Sequence, residues 1–165
     1  MTRPITVAAA LVAAVAAPVA IVWWLRERYV LVTVHGESML PTYRPGDRVL
    51  VRRVPPSALR TGEIVVAGWP GERQASPRRS RVGRPVVDEG WLIKRIAALP
   101  GDPVPPDLPG AVDRGPPSTV PPGLLVLIGD NPAASHDSRQ VGYFAHSDVL
   151  GVVKRRAASM GHRPS

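Results

Sequence analysis

Hydrophobic positions fall into one long uncharged run at the start of the chain and a series of short apolar segments after it. Residues 5–25 carry no charge. As a helix rising about 1.5 Å per residue they measure about 31 Å, against about 30 Å for the hydrocarbon core of a bilayer, so the pattern predicts one transmembrane anchor within residues 1–28. Trp23 and Trp24 stand at the edge of the run and Arg26, Glu27 and Arg28 follow, the expected order of aromatic belt and polar flank. Pro18 is a site for a kink. A cleaved secretory signal is the alternative, because Ala-Ala-Val-Ala-Ala supplies small residues, but the apolar run continues through Trp24 and favours a retained anchor. Arg3 and the terminal amine lie on one side and two arginines on the other, so charge counting leaves the orientation open.

Past residue 28 the period changes. Segments 29–35, 48–54, 63–69, 91–98, 123–129 and 148–153 are short, β-branched and apolar, and are separated by proline and glycine, which reads as a mainly β domain over 29–156. Arg44-Pro45-Gly46-Asp47 is a turn between the first two. Two stretches break the pattern and are expected as surface loops: 70–90, polar and arginine-rich, and 100–123, with nine prolines. Residues 157–165 read as a basic tail. No amphipathic helix stands out beyond the anchor, and there is no internal repeat. At 165 residues the chain can bury one modest core without cross-links.

Composition narrows the chemistry. The absence of cysteine excludes disulfides, thiol catalysis and thiolate zinc sites. The formal charge of +8 is concentrated in Arg78, Arg79, Arg81 and Arg84 and in Lys154, Arg155 and Arg156. Few aromatics interleave with these, so anionic headgroups or plain solvation account for them as well as nucleic acid does, and no nucleic-acid partner is expected. No His-Glu-x-x-His pattern or clustered ligand spacing occurs, so neither metal nor cofactor is expected.

Ser38 and Lys94 form the candidate reactive pair. An ordinary lysine titrates near about 10.4 and is useless as a base at neutral pH, but full burial lowers the value to about 5 to 6 in the extreme, within reach of a serine proton. Lys94 lies between Trp91, Leu92, Ile93, Ile96, Ala97 and Ala98, a segment expected to be mostly buried. The same strand can also point its lysine outward. A histidine triad fits less well: His35 falls on the opposite face from Ser38 on one regular strand, and His136 neighbours Asp137 in a turn. Ser38 lacks the second glycine of a nucleophile elbow and the lysine three residues on of a penicillin-binding motif.

Three blocks carry a family resemblance: Gly36-Glu37-Ser38-Met39-Leu40-Pro41-Thr42 with Pro45-Gly46-Asp47; Ile93-Lys94-Arg95-Ile96 with Leu99-Pro100-Gly101-Asp102; and Gly129-Asp130-Asn131 through Ser135-His136-Asp137-Ser138-Arg139 to Gly142. In order and spacing the chain resembles the bacterial type I signal peptidases, membrane-bound serine peptidases of the S26 family that are also similar to mitochondrial inner-membrane peptidases. The resemblance implies a signal-peptidase-like β domain behind one transmembrane helix, with Ser38 as nucleophile and Lys94 as base. It implies that Ser135 orients the lysine, that Asp137 and Arg139 form an ion pair bracing their loop, and that Gly129, Asp130 and Asn131 set the turn leading to it. The Ser38 N–H is a candidate oxyanion donor. Gly36 stands where some members carry a serine hydroxyl, so that donor is absent. Met39 and residues 29–34 are expected to shape a cleft for an extended peptide, although core packing explains them equally.

The function implied is removal of signal or leader peptides from exported proteins, at the cell membrane, by a single-pass protein whose catalytic domain is extracytoplasmic. Its partners are then preprotein peptides and the lipid bilayer. The alternatives are a dedicated maturation peptidase for one partner, a membrane-tethered binding module with an inert serine, and a self-cleaving repressor-type peptidase; the membrane span and the lack of a DNA-binding helical region argue against the last.

Overall fold

The computed structural model describes residues 3–70, 90–106, 108 and 119–157, with the side chains of 3–13 and 15 outside that description. The uncharged run forms helix α1, Arg3–Arg28, with Pro18 inside it. Among the residues whose side chains are described, no stretch of helix is long and apolar enough to cross a membrane. The last turns of α1 expose Val19, Ile21, Val22, Trp23 and Trp24, and the Arg28 guanidinium lies 4.9 Å above the Trp24 ring.

Seven strands follow: β1 Tyr29–Thr33, β2 Arg48–Arg52, β3 Ile64–Gly68, β4 Trp91–Ala98, β5 Leu124–Ile128, β6 Phe144–Ala145 and β7 Val149–Ala157. They form one antiparallel sheet in the order β1-β2-β7-β3-β4-β5-β6. Period-2 alternation sorts the side chains between its faces. In β2, Val49 and Val51 are buried against Val30, Val32 and Val34, while Arg48, Leu50 and Arg52 turn to the other side. In β3, Val65 and Ala67 join Ile96, Leu125, Leu127 and Phe144 in a second cluster, and Val66 joins the first.

The connection from β1 to β2 is not a tight hairpin. Its neck is closed by Val34 N–H to the Asp47 carbonyl at 2.8 Å and Gly46 N–H to the Val34 carbonyl at 2.9 Å. Gly46 takes the left-handed φ of 88° that the Pro45-Gly46 turn requires, and the Asp47 carboxylate caps that turn by accepting from Arg44 N–H at 2.8 Å. Residues 35–45, with Ser38 among them, are thereby held as a loop at one end of the sheet.

The expected strands end within a residue or two of the observed ones except at β7, and the expected loops also differ. The strand expected to end at 153 continues to Ala157, because a bulge opposite Leu50 and Val51 lets Arg155, Arg156 and Ala157 go on pairing with β2. Residue 157 is therefore sheet rather than tail, and 158–165 lie outside the described residues, as do 71–89 of the first expected loop. The proline-rich stretch 100–123 is not purely surface: Val120 and Leu108 are buried against Ala98 and Val126, and Gly101 N–H to Val120 and Val120 N–H to Asp102 close its two ends at 2.9 and 2.8 Å. Strand β6 and helix α2, Ser138–Val141, were too short to carry a periodic signal.

Phe144 is 0% exposed and ties the two-residue strand β6 to the larger core. Phe144→Ala is expected to cost about 3–5 kcal/mol, read as a lower denaturation midpoint with an unchanged denaturant slope. A loss below about 1 kcal/mol would show that this end of the sheet packs loosely.

Candidate active site

Lys94 occupies a core position of β4. It shares its face with Ile96 and Ala98, lies in register with Val65, and is 2% exposed. Of the two orientations open to a strand lysine, the structure takes the inward one, and it does so because the apolar residues two and four positions on face the core. Lys94 Nζ donates to Ser135 Oγ at 3.1 Å. The Ser135 hydroxyl in turn donates to Asp137 Oδ2, which commits its proton and leaves oxygen lone pairs toward the amine.

Asp137 is 0% exposed and its carboxylate is saturated. It accepts from Gly129 N–H at 2.8 Å, from Arg139 Nε at 2.9 Å and Nη2 at 2.7 Å, and from Arg139 N–H at 3.2 Å. It also caps α2, whose Gln140 side chain accepts from Asp137 N–H at 2.9 Å. The four residues Lys94, Ser135, Asp137 and Arg139 thus form one continuous chain of polar contacts.

The charges along this chain are set by burial and partners. Burial disfavours the Lys94 ammonium and lowers its pKa from 10.5; the Asp137 carboxylate opposes that and the Arg139 cation adds to it. Burial acts to raise the Asp137 pKa, but the hydrogen bonds from Arg139, Ser135 and Gly129 outweigh it and bring the carboxyl from 3.8 to about 2. The acid of the chain is therefore an anion at neutral pH, and the amine is biased toward its neutral, lone-pair-bearing form.

Ser38 reaches this cluster through Gly129. A Cβ at position 129 would lie 2.6 Å from the Ser38 carbonyl oxygen and closer still to Ser135 Oγ, so only glycine lets both serines close on this point. Asn131 N–H donates to the Ser38 carbonyl at 2.9 Å and Asn131 Nδ2 to the Glu37 carbonyl at 3.1 Å. Met39 is buried beneath the loop, Ser38 is half-buried, and Gly36, at φ 74°, is exposed and supplies no side-chain donor.

A second brace was missed by sequence reasoning. Arg95 holds Asp130 with both ends of its fork, Nε to Oδ1 at 2.8 Å and Nη2 to Oδ2 at 2.7 Å, and Asp130 accepts from Thr42 Oγ1 in the serine loop. The pairing lowers the Asp130 pKa and raises that of Arg95. The signal was present: adjacent strand residues face opposite sides, so an inward Lys94 requires an outward Arg95. Arg156, at the end of β7, adds a third tie through the Thr42 carbonyl at 2.8 Å and Asp47 at 3.0 Å. His136 makes its ring contact with Trp69 at 5.5 Å. Among the described residues no cluster of histidine and carboxylates is placed to hold a metal ion.

A buried amine beside a serine-bearing loop is an arrangement suited to acyl transfer, and family membership places the protein among the serine peptidases. The family model described as signal peptidase, peptidase S26, matches residues 5–107 and 107–157, and the chain belongs to that family. It is similar to signal peptidase IB of Staphylococcus aureus strain COL, 29% identical over 145 residues that cover 75% of each protein. It is also similar to signal peptidase I of Leptolyngbya laminosa, 29% identical over 162 residues that cover 79% of this chain and 72% of the relative.

Because the folded Asp137 carboxyl lies below its unfolded value, the unfolded chain binds the proton first. Its contribution, about 2 kcal/mol, is complete above 3.8 and is lost as pH falls through that value toward about 2. Denaturation midpoints measured across this window are expected to fall, and Asp137→Asn to flatten the fall while destabilising the protein at neutral pH by about 3–5 kcal/mol, since Arg139 is left facing a neutral amide. An unaltered slope in the variant would assign the acid sensitivity to other carboxylates.

Proposed function

We propose that this protein removes signal or leader peptides from exported proteins with a Ser38–Lys94 dyad, as a membrane-tethered single-pass peptidase. The observation that carries the reading is Lys94, fully buried with a depressed pKa, on a strand braced to the loop that bears Ser38. In this mechanism neutral Lys94 takes the Ser38 proton as Oγ attacks the scissile carbonyl. The protonated amine then gives that proton to the departing peptide nitrogen, and Lys94 activates a water to cleave the acyl-enzyme. Ser135 and Asp137 fix the direction of the amine and so act as positioning residues, with Arg139 holding Asp137. The Ser38 N–H is the first oxyanion donor; Gly36 adds none from a side chain. An extended peptide adds along the strand edge past the exposed Gly36, while Met39, 1% exposed, supports the loop from below rather than lining the cleft.

Support for the tether comes from the uncharged residues 5–25 within α1, whose 26 residues extend about 39 Å, and from Trp23 and Trp24 at its exposed end. In this reading residues 1–28 are the anchor, 29–156 the catalytic domain, and the domain lies on the extracytoplasmic side, where preproteins emerge.

Ser38→Ala and Lys94→Met are each expected to lower kcat toward a preprotein substrate by on the order of 10⁴- to 10⁶-fold. Lys94→Met should leave the melting temperature equal or higher, because a buried amine that binds its proton more weakly than in the unfolded chain costs stability at neutral pH. Retained cleavage in either variant would sink the dyad. The acid limb of kcat/KM is expected below the ordinary lysine value of 10.5, rate falling as the amine is protonated; a limb at the ordinary value would mean that the base is solvated.

A further inference from the structure

On the face of the sheet away from the Val49 and Val51 core, an open groove of about 730 Å³ lies at the foot of α1, lined by Leu25, Tyr29, Leu50, Arg52, Lys154 and Arg155. Tyr29 pairs with Arg52 across β1 and β2, and Leu50 with Arg155 across β2 and β7, so apolar and cationic side chains are interleaved by the strand register itself. None of these residues belongs to the serine–lysine cluster.

The groove is electrostatically incomplete. Arg52 Nε is buried with no hydrogen-bond partner, a rare and costly state for a guanidinium donor. Lys154 has Glu63 at 3.1 Å, a half-exposed pair that contributes little. Among the described residues no carboxylate is in ion-pair range of Arg52 or Arg155. A ligand that satisfies this lining needs several acceptor oxygens with negative charge, beside an apolar portion for Leu25, Tyr29 and Leu50.

We infer that this groove seats the phosphate headgroup of an anionic phospholipid. The inference rests on the membrane-tethered reading above: the groove opens where α1 ends, next to Trp23 and Trp24, at the depth where headgroups lie if α1 is the span. A nucleic acid fits the lining less well, because Tyr29 is its one aromatic ring and bases need stacking platforms. The seat has a consequence for the peptidase. Arg155 lines the groove while its neighbour Arg156 holds the Thr42 carbonyl of the serine loop at 2.8 Å, so a bound headgroup anchors the strand end that anchors the loop.

The test uses the full chain in neutral detergent micelles doped with phosphatidylglycerol or phosphatidylcholine, with retained lipid counted by native mass spectrometry. Phosphatidylglycerol is expected to be retained over phosphatidylcholine, about fivefold less by Arg52→Gln or by Arg155→Gln and roughly 20-fold less by the pair, with Arg60→Gln unchanged. Arg155 is exposed, so its variant tests the site even if Arg52→Gln misfolds, and it should still cleave a preprotein in neutral micelles. Equal retention of the two lipids, equal loss in Arg60→Gln, or displacement of phosphatidylglycerol by a stoichiometric single-stranded oligonucleotide would overturn the groove. Failure of the wild type to float with phosphatidylcholine vesicles would instead overturn the tether, and lost cleavage by wild type in both micelles the peptidase reading.

Discussion

The structure is organised around the desolvation of one amine. Placing Lys94 on a core position of β4 takes an ammonium out of water, a change that is strongly unfavourable unless the group is neutralised or met by partners. Here both occur. Burial favours the neutral amine, and Ser135 meets it with an oxygen whose own proton is committed to Asp137. The negative charge two hydrogen bonds away is in turn held by Arg139 and Gly129 rather than by Lys94 itself. Had Asp137 contacted the amine directly, the attraction would have kept the proton on nitrogen; the intervening hydroxyl orients without pairing.

Backbone economy brings the serine loop to that amine. Gly129 has no Cβ to keep Ser38 and Ser135 apart, and the turn that begins there supplies Asp130 and Asn131 to the same loop. Three separate strands therefore converge on residues 38–42: β4 through Arg95 and Asp130, β5 through its following turn, and β7 through Arg156. The loop has few apolar anchors beyond Met39, so these polar ties do the work that core packing does elsewhere in the sheet.

Charge is used differently on the two sides of the molecule. Around Lys94 the described ions are paired, Asp137 with Arg139 and Asp130 with Arg95, and burial lowers the amine's proton affinity. At the foot of α1 the register of β1, β2 and β7 brings Arg52 and Arg155 together, and among the described residues no carboxylate pairs with either, a surface suited to an external anion. The +8 charge of the chain is in this sense an average over sites that obey different constraints.

Much of this was legible in the chain itself. Alternating β-branched segments identified five of the seven strands nearly to their ends and the sixth, β7, by its start, since period-2 burial is a local property. The serine, the lysine and the Ser135–Arg139 block were visible as motifs. The Arg95–Asp130–Thr42 brace, the two-residue strand β6 and the burial of Leu108 and Val120 were not, because each depends on partners dozens of residues away. Above all, sequence could say that Lys94 sat in an apolar strand but not which way it pointed. That choice is made only when the sheet closes and one face loses its water, and with it the lysine loses its proton's best solvent.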